Sequence, residues 1–143
     1  MTAKEYLRQY EELTKRAELL RAEYEEEKEN IDTIRSSVGD GTPHGGSISK
    51  QVEIRALKLI DKALDLKQAE LDAIQRRQEI FEFVQAIPGV KGRILYWRYV
   101  KLIKDWNLIA NKVGYSWRHT LRLHGEILRE LDEKMSLNVT KDM

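Results

Sequence analysis

A chain of 143 residues, 41% hydrophobic and 34% charged, is sized for one or two small domains, and its charge suits long solvent-washed helices better than one thick core. It has no cysteine, which excludes disulfides and thiolate metal sites. No apolar run approaches the ~18–20 residues that cross a bilayer, and the start, MTAKEYLRQYEE, has no signal-peptide core, so a cytoplasmic protein without a membrane partner is expected.

The first predicted element runs from Ala3 to about Ile34. Ala3, Tyr6, Tyr10, Leu13, Ala17, Leu20, Tyr24, Glu27, Ile31 and Ile34 alternate spacings of three and four, the seam of a coiled coil. Glu27 interrupts it inside the acidic cluster Glu25-Glu26-Glu27, where fraying is expected. The three seam tyrosines read as packing residues rather than a ligand site. Ser36 to Ser49, SSVGDGTPHGGSIS, predicts a flexible loop. It lacks the GxxxxGK[ST] pattern and a preceding strand, so it is no phosphate cradle, and His44 has no companions for a metal.

Lys50 to about Ala86 predicts a second long helix. One stripe, Leu57, Ile60, Leu64, Leu71, Ile74 and Phe81, is interrupted by Lys67 and Gln78; a neighbouring stripe holds Leu59, Ala63, Leu66 and Ala73. Two stripes are wider than one antiparallel hairpin requires, which leaves one for a second subunit and predicts a homo-oligomer built on the N-terminal helices. Ile87-Pro88-Gly89 should then end the helix.

Beyond that joint the composition turns basic. Residues 89–131 hold nine Lys/Arg against the acids Asp105, Glu126 and Glu130, a net +6, which leaves −5 for the rest of a chain whose total is +1. Such a split points the C-terminal part at a polyanion. A helix is expected over Lys91–Ile103 with Ile94, Leu95 and Tyr99 inward. Asp105 should cap the next, Trp106–Val113, which buries Ile109, Ala110 and Val113. Gly114 in a left-handed conformation would end it. Ser116 would then cap a third helix whose core side is Thr120, Leu123, Ile127 and Leu131. Two helices and a tight turn at Gly114-Tyr115-Ser116 outline a helix-turn-helix, so the whole reads as all-α: a long antiparallel helical hairpin over residues 1–86, a DNA-binding unit over 87–135 and a tail over 136–143.

In that frame Trp117, Arg118, His119 and Arg122 form the outer face of the recognition helix. Arginine offers the paired donors that fit guanine or a phosphate, and histidine a single donor. Arg98, Lys101, Lys104, Lys112 and Ser116 are the candidate phosphate contacts. His119 and His124 lack carboxylate companions, so no metal and no cofactor are expected.

The segment RYVKLIKDWNLIANKVGYSWRHTLRLHGEIL resembles region four of bacterial sigma-70-type factors. It is also similar to small phage and prophage proteins of Gram-positive bacteria, the RinA-type late transcription regulators and related groups. The matching residues are Arg98-Tyr99, Trp106, Ile109-Ala110, Gly114-Tyr115-Ser116, Arg118-His119, Arg122-Leu123-His124 and Leu128, and GDGTPHGGSISKQVEIRALKLIDKALDL extends the likeness upstream. Departures fall at Leu102-Ile103-Lys104-Asp105, where Gly-Lys-Ser is usual, and at Leu108, where an acid is usual. The resemblance implies a phage-encoded, sequence-specific transcription regulator in the bacterial cytoplasm, acting on double-stranded DNA and able to meet host RNA polymerase. Two other classes fit the same outline: a small-terminase-like packaging protein, and an adaptor for RNA polymerase or a sigma factor. No catalytic constellation is legible, so an enzyme is not expected.

Overall fold

The structure, a computed structural model, describes the backbone of residues 1–38 and 46–141 and the side chains of 1–36 and 50–137. Among the described residues the chain is all-helical: α1 (Ala3–Leu7), α2 (Gln9–Val38), α3 (Gly46–Gln85), α4 (Gly89–Leu95), a π-helical turn (Tyr96–Val100), α5 (Trp106–Val113) and α6 (Trp117–Lys141). Among the described residues no helix is long and apolar enough to cross a membrane.

The single N-terminal helix expected from the seam is two. Thr2 caps α1 through a capping box with Glu5, and Arg8, at φ −80 and ψ −5, separates α1 from α2. Every described seam position from Ala3 to Ile34 is nonetheless buried or half-buried. Glu27 does not fray the helix. Lys62 lies 3.8 Å from Glu27 and 3.5 Å from Glu23, so the carboxylate that interrupts the seam is matched by a cation. The predicted loop is shorter than Ser36–Ser49, because α2 reaches Val38 and α3 starts at Gly46. Thr33 and Ser36 hydroxyls donate to the carbonyls of Glu29 and Asp32 at 2.9 Å, which lets small polar residues finish the helix. Residues 39–45, with Pro43 and His44, lie outside the described residues. The tail expected from 136 onward begins as helix: nothing between Asp132 and Lys141 is glycine or proline, and α6 continues to Lys141.

The chain divides into two compact units, Met1–Glu12 with Ile74–Met143, and Leu13–Ala73. This differs from a division at Pro88, because α1 and the end of α3 pack with the C-terminal helices. In the first unit Ala3, Leu7, Ile80, Val84, Leu95, Tyr99, Val100, Ile127 and Leu131 form one core. Tyr6 meets Phe83 edge-on at 5.2 Å, and the Ala3 amide donates to Asp132 Oδ1 at 2.7 Å. A second core, Ile94, Ile109 and Val113 with Trp97, Trp106 and Leu123 against it, holds α5. In the other unit α2 and α3 run antiparallel, tied by Arg21 to Glu70 and by Lys62 to Glu23. Leu59, Ala63, Leu66, Ala69 and Ala73 face inward there, while Leu57, Ile60, Leu64 and Leu71 stand exposed.

The joint works as a close approach as well as a stop. Pro88 is the N-cap of α4 and Gly89 takes φ 80. At Gly92 an added Cβ would sit far inside contact distance of the Ile87 carbonyl oxygen and 3.1 Å from that of Val84, whereas at Gly125 it would meet nothing within 4 Å. Gly92→Ala is therefore expected to destabilise the fold by about 1–3 kcal/mol through overpacking. Gly125→Ala, a helix-interior exchange in open space, should stabilise it by roughly 0.5–1 kcal/mol. Urea unfolding midpoints of the two variants, moving in opposite directions, check both.

Candidate nucleic-acid interface

The region around the 114–116 turn is built by a short sequence of local decisions. Asp105 Oδ1 accepts from the Asn107 amide at 2.9 Å and starts α5. Gly114 stops it at φ 78 and ψ 25, its amide donating to the Ala110 carbonyl at 2.9 Å and that of Tyr115 to the same oxygen at 3.2 Å. Ser116 Oγ accepts from the His119 amide at 3.2 Å, while its carbonyl takes the Thr120 hydroxyl at 2.8 Å, which satisfies the fully buried Thr120. Ile109, Ala110 and Val113 are buried as the periodicity predicts, and so are Thr120, Ile127 and Leu131.

Burying that row turns the opposite face of α6 outward. Trp117 and Tyr115 are each about half exposed, at 47% and 45%, and Arg118 and Arg122 are exposed. Tyr115, His119, Arg122 and Glu126 form a connected line. The Tyr115 ring tilts against the His119 ring at 4.9 Å, Arg122 Nη2 lies 2.7 Å from His119 Nδ1, and Arg122 Nε lies 3.8 Å from Glu126. Because a guanidinium has only donors, Nδ1 is the acceptor in this contact. Arg118 has neither a hydrogen bond nor an ion pair among the described residues, and its guanidinium is open to a ligand. Trp117 and Arg118 also contribute first-turn amides, which have no intrahelical partner.

The candidate phosphate contacts divide into two kinds. Arg98 is occupied by the protein itself. It donates to the carbonyls of Ile103 at 3.3 Å and Lys104 at 2.8 Å and lies 4.7 Å over the Trp106 ring. Lys104 pairs with the buried carboxylate of Glu11. These two hold the connection between the π-helical turn and α5. The expected helix over Lys91–Ile103 instead begins at Gly89 and ends its helical run at Val100, because Leu102 turns left-handed at φ 57. Such a conformation costs a leucine about 1–2 kcal/mol, and Arg98's two bonds just beyond it offset that strain. Lys101 and Lys112 are exposed, with ammonium groups 5.8 Å over the Tyr96 ring and 4.5 Å over the Trp97 ring. Ser116 spends its oxygens on capping. Lys91 lies 3.7 Å from Glu126 and 2.6 Å from Glu130, and the hydrogen bond it donates to Glu130 raises its pKa.

Two residues of the region escaped the sequence reading. Tyr115 counted only as part of the turn, although its spacing of four from His119 places them on one side. His124 was weighed only as a metal ligand. It is half-buried, with Nε2 2.8 Å from the Tyr99 hydroxyl, its ring stacked on Tyr99 at 5.8 Å and edge-on to Trp106 at 4.7 Å. Burial, then the charges of Arg98 and Lys4, lowers its pKa from 6.5 to about 4. Among the described residues no group of three or more His, Cys, Asp or Glu is placed to hold a metal ion.

No family model, curated protein or solved structure matches this chain.

His124 gives the first unit a pH dependence whose sign follows from linkage. The unfolded chain takes up a proton below pH 6.5 that the folded chain refuses until about pH 4. Stability contributed by the neutral ring is thus present above 6.5 and lost as pH falls through that window, by at most ~1.4 kcal/mol per pH unit. Denaturant unfolding at pH 7.5 and 5 should show the loss in the wild type and a smaller one in His124→Gln, which cannot titrate.

Proposed function

We propose that α5, the 114–116 turn and α6 act as a helix-turn-helix that binds double-stranded DNA with the start of α6 in the major groove. The protein is then a sequence-specific transcription regulator, of the phage late-gene kind that the sequence resembles, without catalytic activity. One observation carries this reading. The side of α6 opposite its buried row presents Arg118 and Arg122, with His119 half-buried beside Arg122 and Trp117 half exposed at the helix start, directly after a turn closed by Gly114 and capped by Ser116. Arg118 supplies a free guanidinium fork. His119 and Arg122 supply a pre-formed pair that leaves guanidinium donors over for a ligand. Lys101 and Lys112 supply exposed ammonium groups for the phosphate backbone. Arg98 and Lys104 leave that list, since their charges are spent on the loop and on Glu11.

A second reading, docking on host RNA polymerase, is favoured by a different feature. An apolar groove of about 580 Å³ lies between the end of α3 and α4, lined by Phe81, Val84, Ile87, Pro88 and Tyr96, with Arg93 among its lining residues.

Selection of bound sequences from random DNA at two salt concentrations tests the first reading. A defined motif is expected. Arg118→Ala and Arg122→Ala should each lower affinity for it by about 1–3 kcal/mol, roughly 5–150-fold, and together abolish specific binding. Lys112→Ala should weaken all sequences alike and reduce the salt slope by about one. Wild-type affinity in both arginine variants would overturn the assigned face. Retention of polymerase without any DNA shift would select the second reading.

A further inference from the structure

Along α3, Leu57, Ile60, Leu64, Lys67 and Leu71 keep the alternating three- and four-residue spacing of a coiled-coil seam. The α2 helix does not cover them: the four aliphatic side chains are between 51% and 62% exposed, while the stripe beside them, Leu59, Ala63 and Leu66, takes the inward side. Single exposed leucines are ordinary on any protein, but a heptad-spaced row of four on one helix is a contact surface. Lys67 and Asp61, on this row and its flank, are exposed and make no ion pair among the described residues.

We propose that this row is the self-association surface of the protein, covered by α3 of a second copy lying antiparallel to it. Charge chooses both occupant and direction. A parallel pair would put the two Lys67 ammonium groups in the same layer of the seam, like charges facing each other in a desolvated contact. An antiparallel pair about a two-fold axis between Asp65 and Leu66 makes a different set of layers. Ile60 meets Leu71 of the second copy and Leu64 meets its Lys67, so that Lys67 comes within reach of Asp61 across the seam. Each contact occurs twice, as an isologous interface requires. The unpaired cation and the unpaired acid of one chain thereby satisfy those of the other.

This inference stands apart from the DNA reading, and its test reads association alone. The chain has no cysteine, so introduced thiols are the only ones present. Under mild oxidation the full-length Ile60→Cys/Leu71→Cys variant should form disulfide-linked dimers. Leu57→Cys should not, because the antiparallel register sets the two copies of position 57 ~25 Å apart at ~1.5 Å rise per residue. Sedimentation equilibrium should show a wild-type dimer at micromolar concentration. Leu64→Lys, which sets a like charge against Lys67 of the second copy, should weaken it by about 100-fold with helicity unchanged, since Leu64 is exposed in the single chain. A wild-type monomer in that range, a Leu64→Lys dimer as tight as the wild type, or faster cross-linking of Leu57→Cys than of the double variant would each overturn the proposal.

Discussion

The face of α6 that carries Thr120, Leu123, Ile127 and Leu131 is the contact on which the C-terminal architecture depends. Burying an aliphatic side chain is worth roughly 1.5–3 kcal/mol, so Leu123, Ile127 and Leu131 together supply several kcal/mol against a typical total stability of about 5–15 kcal/mol. The row serves two cores at once. Leu123 packs against the Ile94, Ile109 and Val113 cluster, and Ile127 and Leu131 belong to the core shared with α1, the end of α3 and the π-helical turn. With both cores gripping one side, α6 has a single rotational setting, and Arg118 and Arg122 can only face outward.

That constraint sorts the basic residues by what they do. A net charge of +6 over residues 89–131 suggests a uniformly positive surface, yet part of it is consumed internally. Lys91 is shared between Glu126 and Glu130, both already counted in that total, while Lys104 meets Glu11 and Arg98 braces a loop that turns at a left-handed Leu102. The cations left for a ligand lie at the turn and on the helices flanking it. The π-helical turn contributes to this sorting. Its wider period brings Tyr99 and Val100 into the core five residues after Ile94 and Leu95, and leaves Arg98 beside the loop it holds.

Local signals carried the legible part of the fold. Asp105, Gly114 and Ser116 are capping and turn residues whose preference is intrinsic, so α5 and the start of α6 could be placed to the residue. The heptad spacing located the inward face of α2, and the two stripes of α3 marked one row for α2 and one without a partner. Long-range contacts were not legible. Nothing local tells that Ala3 and Leu7 are buried against α6, or that Glu11 meets Lys104, since those partners lie nearly a hundred residues or more away in sequence. The end of the helix at Val100 was hidden for another reason: leucine gives no warning of a positive φ. The turn there forms because Arg98 offsets its cost. The sequence departs from the sigma-like pattern at this same stretch, where glycine would adopt the turn without strain.

The outward face is also less passive than a row of free side chains. Arg122 is restrained from both ends, by His119 Nδ1 and by Glu126, whereas Arg118 is unencumbered. For a free side chain, binding costs rotamer entropy as well as desolvation; a pre-placed one has already given up the first. Arg122 is therefore the better-organised donor, but it must trade the attraction of Glu126 for that of its target, and Glu126 is itself shared with Lys91. A partner with weak negative potential gains little from such an exchange. A phosphate or the acceptor edge of guanine gains more, since it replaces a 3.8 Å exposed ion pair, of little net worth, with close charge-assisted hydrogen bonds. The arrangement thus discriminates by strength of acceptor, which is the property the proposed DNA reading requires of this helix.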